Sequence, residues 1–259
     1  MIRRWIVLGW ACVVARGCVP PDAGSEQAPA RDVLDAGVID EVIDGGPSGD
    51  ADRALERCHV EGLGSPRSIA QVVALINALE PPVTIACVLE SLDRPLSVYA
   101  TSGTISAQPA AGRRSPRTFL LLDPLVLSIV PDGDGSWLLE MSEVDATMRS
   151  VKGEIPFPVM GPIAEALPYA HIMYDEGLTG CGFCHAGEVP VGQAGEATIY
   201  ASAALRPAPD EQVMLRDVEA ERGACDWEGE RRRCEILEAL FGWGEVAEGA
   251  FPEEMPTFY

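Results

Sequence analysis

Eight cysteines, at positions 12, 18, 58, 87, 181, 184, 225 and 234, constrain how this chain can fold more than any other feature. The first seventeen residues decide what those sulfurs do. Arg3 and Arg4 form a charged leader, Trp5 to Ala15 an apolar run, and Ala15-Arg16-Gly17 puts small residues at a processing site. The apolar run is only eleven residues long, too short to cross a bilayer as a helix, so residues 1–17 read as a cleaved signal peptide. Outside the cytoplasm, thiols are oxidised, acylated or ligated. Cys12 leaves with the signal, and an odd set of seven cysteines remains.

Cys18 follows that cut directly, and the arrangement resembles a bacterial lipoprotein signal, with Ala15 where such signals usually carry Leu and Arg16 as an unusual charge. The resemblance implies that Cys18 is the lipid attachment site and the mature N-terminus. The membrane is then a partner through an N-terminal lipid, in the cell envelope of a bacterium, facing the periplasm or the outside. From Val19 to about Glu56 the chain holds ten acidic residues, two basic ones and no aromatic side chain. Such a stretch cannot bury enough apolar surface to offset the entropy of ordering it, so residues 18–56 read as a disordered acidic linker. With 40 acidic against 19 basic side chains and a formal charge of −21, the chain would repel phosphate, which argues against a nucleic-acid partner.

The folded region is expected over residues 57–259. Ser68 to Leu79 is apolar at helical spacing, led by Ser65-Pro66 and stopped by Pro81-Pro82, which predicts one helix. Val83 to Leu92, Leu96 to Thr101, Thr118 to Leu122, Leu125 to Val130 and Trp137 to Ser142 are short runs rich in Val, Ile, Leu, Thr and Tyr, the texture of strands. Asp132-Gly133-Asp134-Gly135 reads as a hairpin turn. Asp132, Asp134, Ser136 and Glu143 are spaced like calcium-loop ligands, but Trp137 stands where that loop needs Gly. The proline-rich segment Ile155 to Pro162 takes the chain out of the sheet. Gly187 to Gly195 reads as loop and Thr198 to Leu205 as a strand. Arg231 to Phe241 reads as an amphipathic helix with Cys234, Leu237, Leu240 and Phe241 on its apolar stripe. Arg231, Arg232 and Arg233 read as a solvated, salt-bridged helix face, and Arg113, Arg114 and Arg117 as a basic solvent loop. Together these predict an α+β fold: a β-rich, sandwich-like domain with a few helices.

Cys181-Gly182-Phe183-Cys184-His185 sets two thiols three positions apart with an imidazole beside the second. Such thiols can add across the vinyl groups of one haem while the imidazole reaches its iron from the same side. The residues also suit a structural disulfide across a tight loop. A redox dithiol would put the first cysteine at the start of a helix, and zinc would need a second pair such as Cys225 and Cys234, at a spacing foreign to zinc knuckles. The motif resembles the attachment sequence of c-type cytochromes, a likeness carried strongly by these five residues and weakly by the chain around them. That resemblance implies haem c as cofactor, bound through Cys181 and Cys184, with His185 as the iron ligand. For a sixth ligand, Met255-Pro256 is similar to the Met-Pro of small cytochromes; His171, Met173, Met214 and the distant His59 are its rivals. If haem takes Cys181 and Cys184 and a lipid takes Cys18, then Cys58, Cys87, Cys225 and Cys234 remain for two disulfides. Their connectivity stays open, with Cys58–Cys87 and Cys225–Cys234 as the short-loop pairings.

The sequence holds no GxSxG, HExxH, P-loop or dinucleotide fingerprint, and two histidines outside the motif leave little for acid–base catalysis. An electron carrier or binding protein is therefore expected over an enzyme. Two functions stay open. One is an exported, lipid-anchored haem c protein for electron transfer or haem-linked sensing, working with a redox partner protein. The other is a non-catalytic interaction lipoprotein of the cell envelope whose folded-domain cysteines all form disulfides.

Overall fold

A computed structural model describes residues 58–258; the signal, Cys18 and the linker over residues 18–56 lie outside the described residues. Helix α1 (Ile69–Ala78) starts where Ser68 turns extended and its hydroxyl accepts from the Gln71 N–H. It buries Ile69, Val72, Val73, Leu75 and Ile76, the stripe expected from the sequence. Helix α2 (Ile85–Ser91) stands where a strand was expected. Thr84 caps it by accepting from the Cys87 N–H, and every residue but Glu90 is buried. A short apolar run buried on all sides carries no period to separate helix from strand; here the capping threonine favours the helix. Cys87 is disulfide-bonded to Cys58, with Cα atoms 5.0 Å apart.

Strands β1 (Leu96–Thr101), β2 (Arg117–Leu121), β3 (Leu125–Ile129), β4 (Leu138–Val144) and β5 (Arg149–Pro156) form an antiparallel meander. The expected turn joins β3 to β4, with Gly133 and Gly135 at φ 98° and 73°, a region that favours glycine. Glu143 accepts from the Ile69 N–H at the start of α1 and is thus engaged away from that turn. After α3 (Leu167–His171), β6 (Met173–Asp175) and β7 (Leu178–Thr179) pair as a small ribbon. Strands β8 (Val189–Ala194), β9 (Ala197–Ala203) and β10 (Gln212–Val213), helices α4 (Leu215–Gly223) and α5 (Arg231–Phe241), and β11 (Val246–Glu248) complete the order. Strand β8 replaces the loop expected at 187–195. It is an edge strand with every residue but Ala194 exposed, so no apolar alternation marks it in the sequence.

The fold is thus α+β and β-rich: nine strands in one mixed sheet, ordered β10-β1-β2-β3-β4-β5-β9-β8, with β11 parallel to β1. Helices take the place of a sandwich's second sheet. Val98, Leu120, Leu127, Met141 and Gly153 lie in register across one face, which merges with α1, α2 and α5 into one apolar core. Helix α5 buries Cys234, Leu237, Leu240 and Phe241 as expected, and Ile236 and Ala239 as well. Cys225 is disulfide-bonded to Cys234, with Cα atoms 5.6 Å apart.

That link brings α4 and α5 against the 113–117 segment and corrects two expectations about arginines. Arg233 is buried, donates to the Arg114 carbonyl oxygen, and pairs with Glu221 at 2.6 Å and Glu230 at 3.0 Å. Arg114 meets the same two carboxylates, each at 3.1 Å. Both guanidinium groups are tied into the tertiary fold, whereas Arg231 keeps an exposed pair with Glu235. Among the described residues no helix is long and apolar enough to cross a membrane.

Candidate functional site

The alternation that makes one sheet face apolar makes the other polar. Phe119, Ser128, Glu140 and Glu154 form one register row on it, and Leu121, Val126, Ser142 and Lys152 the next. A cavity of about 410 Å³ lies over this face, walled by the 180–185 loop, the 204–208 segment and the C-terminal residues Phe251, Met255 and Phe258. Its polar floor is internally bonded. Arg117, expected in a solvent loop, is on β2, where it pairs with Glu140 at 2.5 Å, donates to the Ser128 hydroxyl at 2.7 Å and lies over the Phe119 ring. His171 Nδ1 meets Glu154 at 2.7 Å, and burial, opposed by that contact, raises the Glu154 carboxyl above its ordinary range. Gly153 permits this arrangement: a Cβ there would sit 2.9 Å from Pro168 in α3, the helix that delivers His171.

The cysteine–histidine motif occupies a short 3-10 turn, Gly180–Phe183, and the residues just after it. The Thr179 hydroxyl accepts from the Gly182 N–H and donates to Glu188 at 2.6 Å, while the same carboxylate accepts from the Thr179 N–H. Backbone bonds from Cys184 and His185 to the Cys181 carbonyl close the turn. Cys181 is half-buried, Cys184 is exposed, and the two are free thiols. Burial pushes the Cys181 thiol up to about 11. It also drives the His185 imidazole down to about 4, with Lys152 adding to the effect. The ring is therefore neutral at pH 7. His185 Nδ1 lies 2.9 Å from the Ala203 carbonyl oxygen. A carbonyl only accepts, so Nδ1 carries the hydrogen and Nε2 keeps its lone pair.

The cavity collects Cys181, Cys184, His185, His171, Met173 and Met255. Met255 is 4% exposed and packs with Tyr99, Phe119 and Phe251. Met214 and His59 do not line it and are exposed. Cys58, Cys87, Cys225 and Cys234 lie apart from it in their disulfides, which denies a zinc ion the second thiol pair. Among the described residues no group of three or more His, Cys, Asp or Glu is arranged to hold a metal ion. Sequence reasoning missed the clip between Thr179 and Glu188, the Ala203 carbonyl and Lys152. Only the last had a visible signal, being the sole lysine of the chain.

Comparison with protein-family models, with curated proteins and with solved structures finds no match.

Proposed function

We propose that this protein carries one haem c, attached through Cys181 and Cys184 with its iron on His185, in an exported, lipid-anchored chain serving electron transfer or haem-linked sensing. The observation that carries the reading is the state of His185: a neutral ring whose Nδ1 is engaged by the Ala203 carbonyl, leaving the Nε2 lone pair on a cavity shared with two free thiols. Metal-bound histidines are held in this way, the second nitrogen fixing tautomer and ring angle. A cavity of about 410 Å³ is also within the range of cofactor sites.

When bound, haem would supply a one-electron iron couple tuned by the side chains that hold it and by its surroundings. The chain's own residues do the rest. Cys181 and Cys184 would hold it through thioether bonds. Of the candidate thioethers Met173 and Met255, Met255 is the buried one on the cavity, whereas the rival His171 already has one ring nitrogen on Glu154. Arg206 brings positive charge to the cavity wall, suited to a carboxylate, whereas Arg117 is already paired with Glu140. Phe183 and Tyr174 stand exposed with ring centres 5.0 Å apart next to the thiols, an apolar contact for a redox partner protein. A lipid on Cys18 would hold the chain to a membrane of the bacterial envelope, and Cys18→Ser should release it into the soluble fraction.

In protein made with a cytochrome maturation system, intact mass should exceed that of the apoprotein by one haem. Cys181→Ala or Cys184→Ala should lower covalent haem retention, and His185→Ala should disturb the iron spectrum most. A mass matching three disulfides and no haem would overturn the reading in favour of a disulfide-held interaction domain.

A further inference from the structure

After β11 the chain passes flush against β1 and then leaves it. Gly249 makes the close passage possible: its N–H donates to the Val98 carbonyl oxygen at 2.7 Å, and a Cβ there would sit 2.5 Å from the Ser97 hydroxyl oxygen and 2.9 Å from Leu121. Residues 250–258 then form a strap that walls the cavity with Phe251, Met255 and Phe258. The Phe258 ring centre stands 6.4 Å from that of the part-buried His185.

What holds the strap is separate from what holds the domain. Phe251 seats edge-on against Tyr99 and against Phe119, with ring centres 5.3 Å apart in each case. Together with Ala204 and Met255 these rings make an apolar cluster distinct from the main core. The far end is joined by two backbone bonds to one residue: the Arg206 N–H donates to the Pro256 carbonyl oxygen at 2.9 Å, and the Phe258 N–H to the Arg206 carbonyl oxygen at 2.8 Å. Glu253 and Glu254 are exposed, and among the described residues no side-chain hydrogen bond or ion pair ties the strap down. A satellite cluster under such a connection opens at a lower free energy than the core beneath it. Pro252 and Pro256 fix φ within the strap, which favours motion as one piece over fraying.

We propose that residues 250–258 are a lid, hinged just after Gly249, that swings off the sheet face to admit a ligand to the cavity and shuts by reseating Phe251 and Met255. Opening takes Phe258 away from His185 and leaves the main core untouched. The lid stands without the haem reading, because it rests on the contacts of the strap and not on what the cavity holds.

The test joins amide hydrogen exchange, read by NMR, with histidine labelling, both on the full chain made without haem. The Phe258 and Arg206 amides should exchange in step, and at least about a hundredfold faster, corrected for intrinsic rates, than the Gly249 amide that the hinge leaves on β1. Carbethoxylation of His185 by diethyl pyrocarbonate, mapped by peptide and referenced to the exposed His59 away from the cavity, should follow the same opening. Phe251→Ala removes both edge-on contacts and should speed exchange of the strap amides and labelling of His185 together, by at least about tenfold. Phe251→Leu, which keeps an apolar side chain in the seat, should show the same order at smaller size if the alanine variant does not fold. Strap amides that exchange only with the whole domain would overturn the lid, as would His185 labelling that stays at the wild-type rate while the strap amides speed up. Haem attachment is read separately from intact mass: a lid that fails leaves the haem reading standing, and a chain that takes no haem leaves the lid standing.

Discussion

The two faces of the one sheet obey opposite rules. On the helix-covered face Leu120, Leu125, Leu127, Ile129, Leu139 and Ile155 are fully buried, and any apolar group of the right volume would serve at such positions. On the cavity face Arg117 needs Glu140, Glu154 needs His171, and Lys152 needs two serines. Each of those groups is specific, and Lys152 is buried without a counter-charge. A face selected for stability alone would not hold it there. The difference teaches that the helical layer supplies the stability and the cavity face uses some of it to keep reactive groups in place.

The sharpest way to break this contrast is to truncate neighbours on β3 that point to opposite faces. Leu127→Ala, on the helical side, should lose about 2–5 kcal/mol, since a fully buried leucine leaves both lost burial and a cavity. Val126→Ala, half-buried on the cavity side, should lose roughly 1 kcal/mol or less. Denaturant titrations of the two variants decide it; equal losses would show that both faces are load-sharing cores.

A smaller effect of opposite sign is expected at Lys152. The amine titrates at about 8 in the folded protein and at 10.5 as an ordinary lysine. Between those values the unfolded chain holds the extra proton, so stability rises with pH; below about 8 the full penalty is present. That shift corresponds to at most about 3 kcal/mol, and Lys152→Met gives back part of it by leaving Ser150 and Ser202 with fewer partners. Lys152→Met should therefore be more stable than wild type by about 1–2 kcal/mol at pH 7, with the gap closing as pH rises from 8 to 10.5. A gap that does not vary with pH would mean that the amine is not desolvated.

The contrast also explains what the sequence could disclose. Helix α1, the meander from β1 to β4 and helix α5 each bury one side, so period and composition betray them. Helix α2 is buried on every side and β8 is exposed along nearly its whole length; neither has a face to read. The cysteine–histidine turn is contiguous and therefore visible, whereas the floor of the cavity is assembled from β2, β4 and β5. In Ser150-Val151-Lys152-Gly153-Glu154 the alternation is present, but polar residues on alternate positions normally mean a solvated face. Only the segments that fold over it, the 171–185 region and the C-terminal Phe251, Met255 and Phe258, turn that face into the wall of a cavity. Arg233 escaped for a related reason: its two carboxylate partners come from α4 and from the residue before α5, positioned in part by the Cys225–Cys234 link.

The smallest expected effect lies at the clip that holds the motif to the cavity face. Glu188 accepts from both the backbone and the hydroxyl of Thr179, and that hydroxyl in turn accepts from the Gly182 N–H. The clip touches no part of the helical core, so Glu188→Ala should change global stability by only about 1 kcal/mol. Its effect should be local, lowering the free energy of opening the turn. Cys181 is half-buried, with its thiol pushed up to about 11, whereas Cys184 is already exposed. In protein made without haem, alkylation of Cys181 should accelerate several-fold in Glu188→Ala, as about 1 kcal/mol of easier opening implies. Cys184 should react at its original rate. If both cysteines accelerate together, the whole cavity wall is moving and the turn is not held by Glu188; if neither does, the backbone bonds to the Cys181 carbonyl suffice to keep it closed.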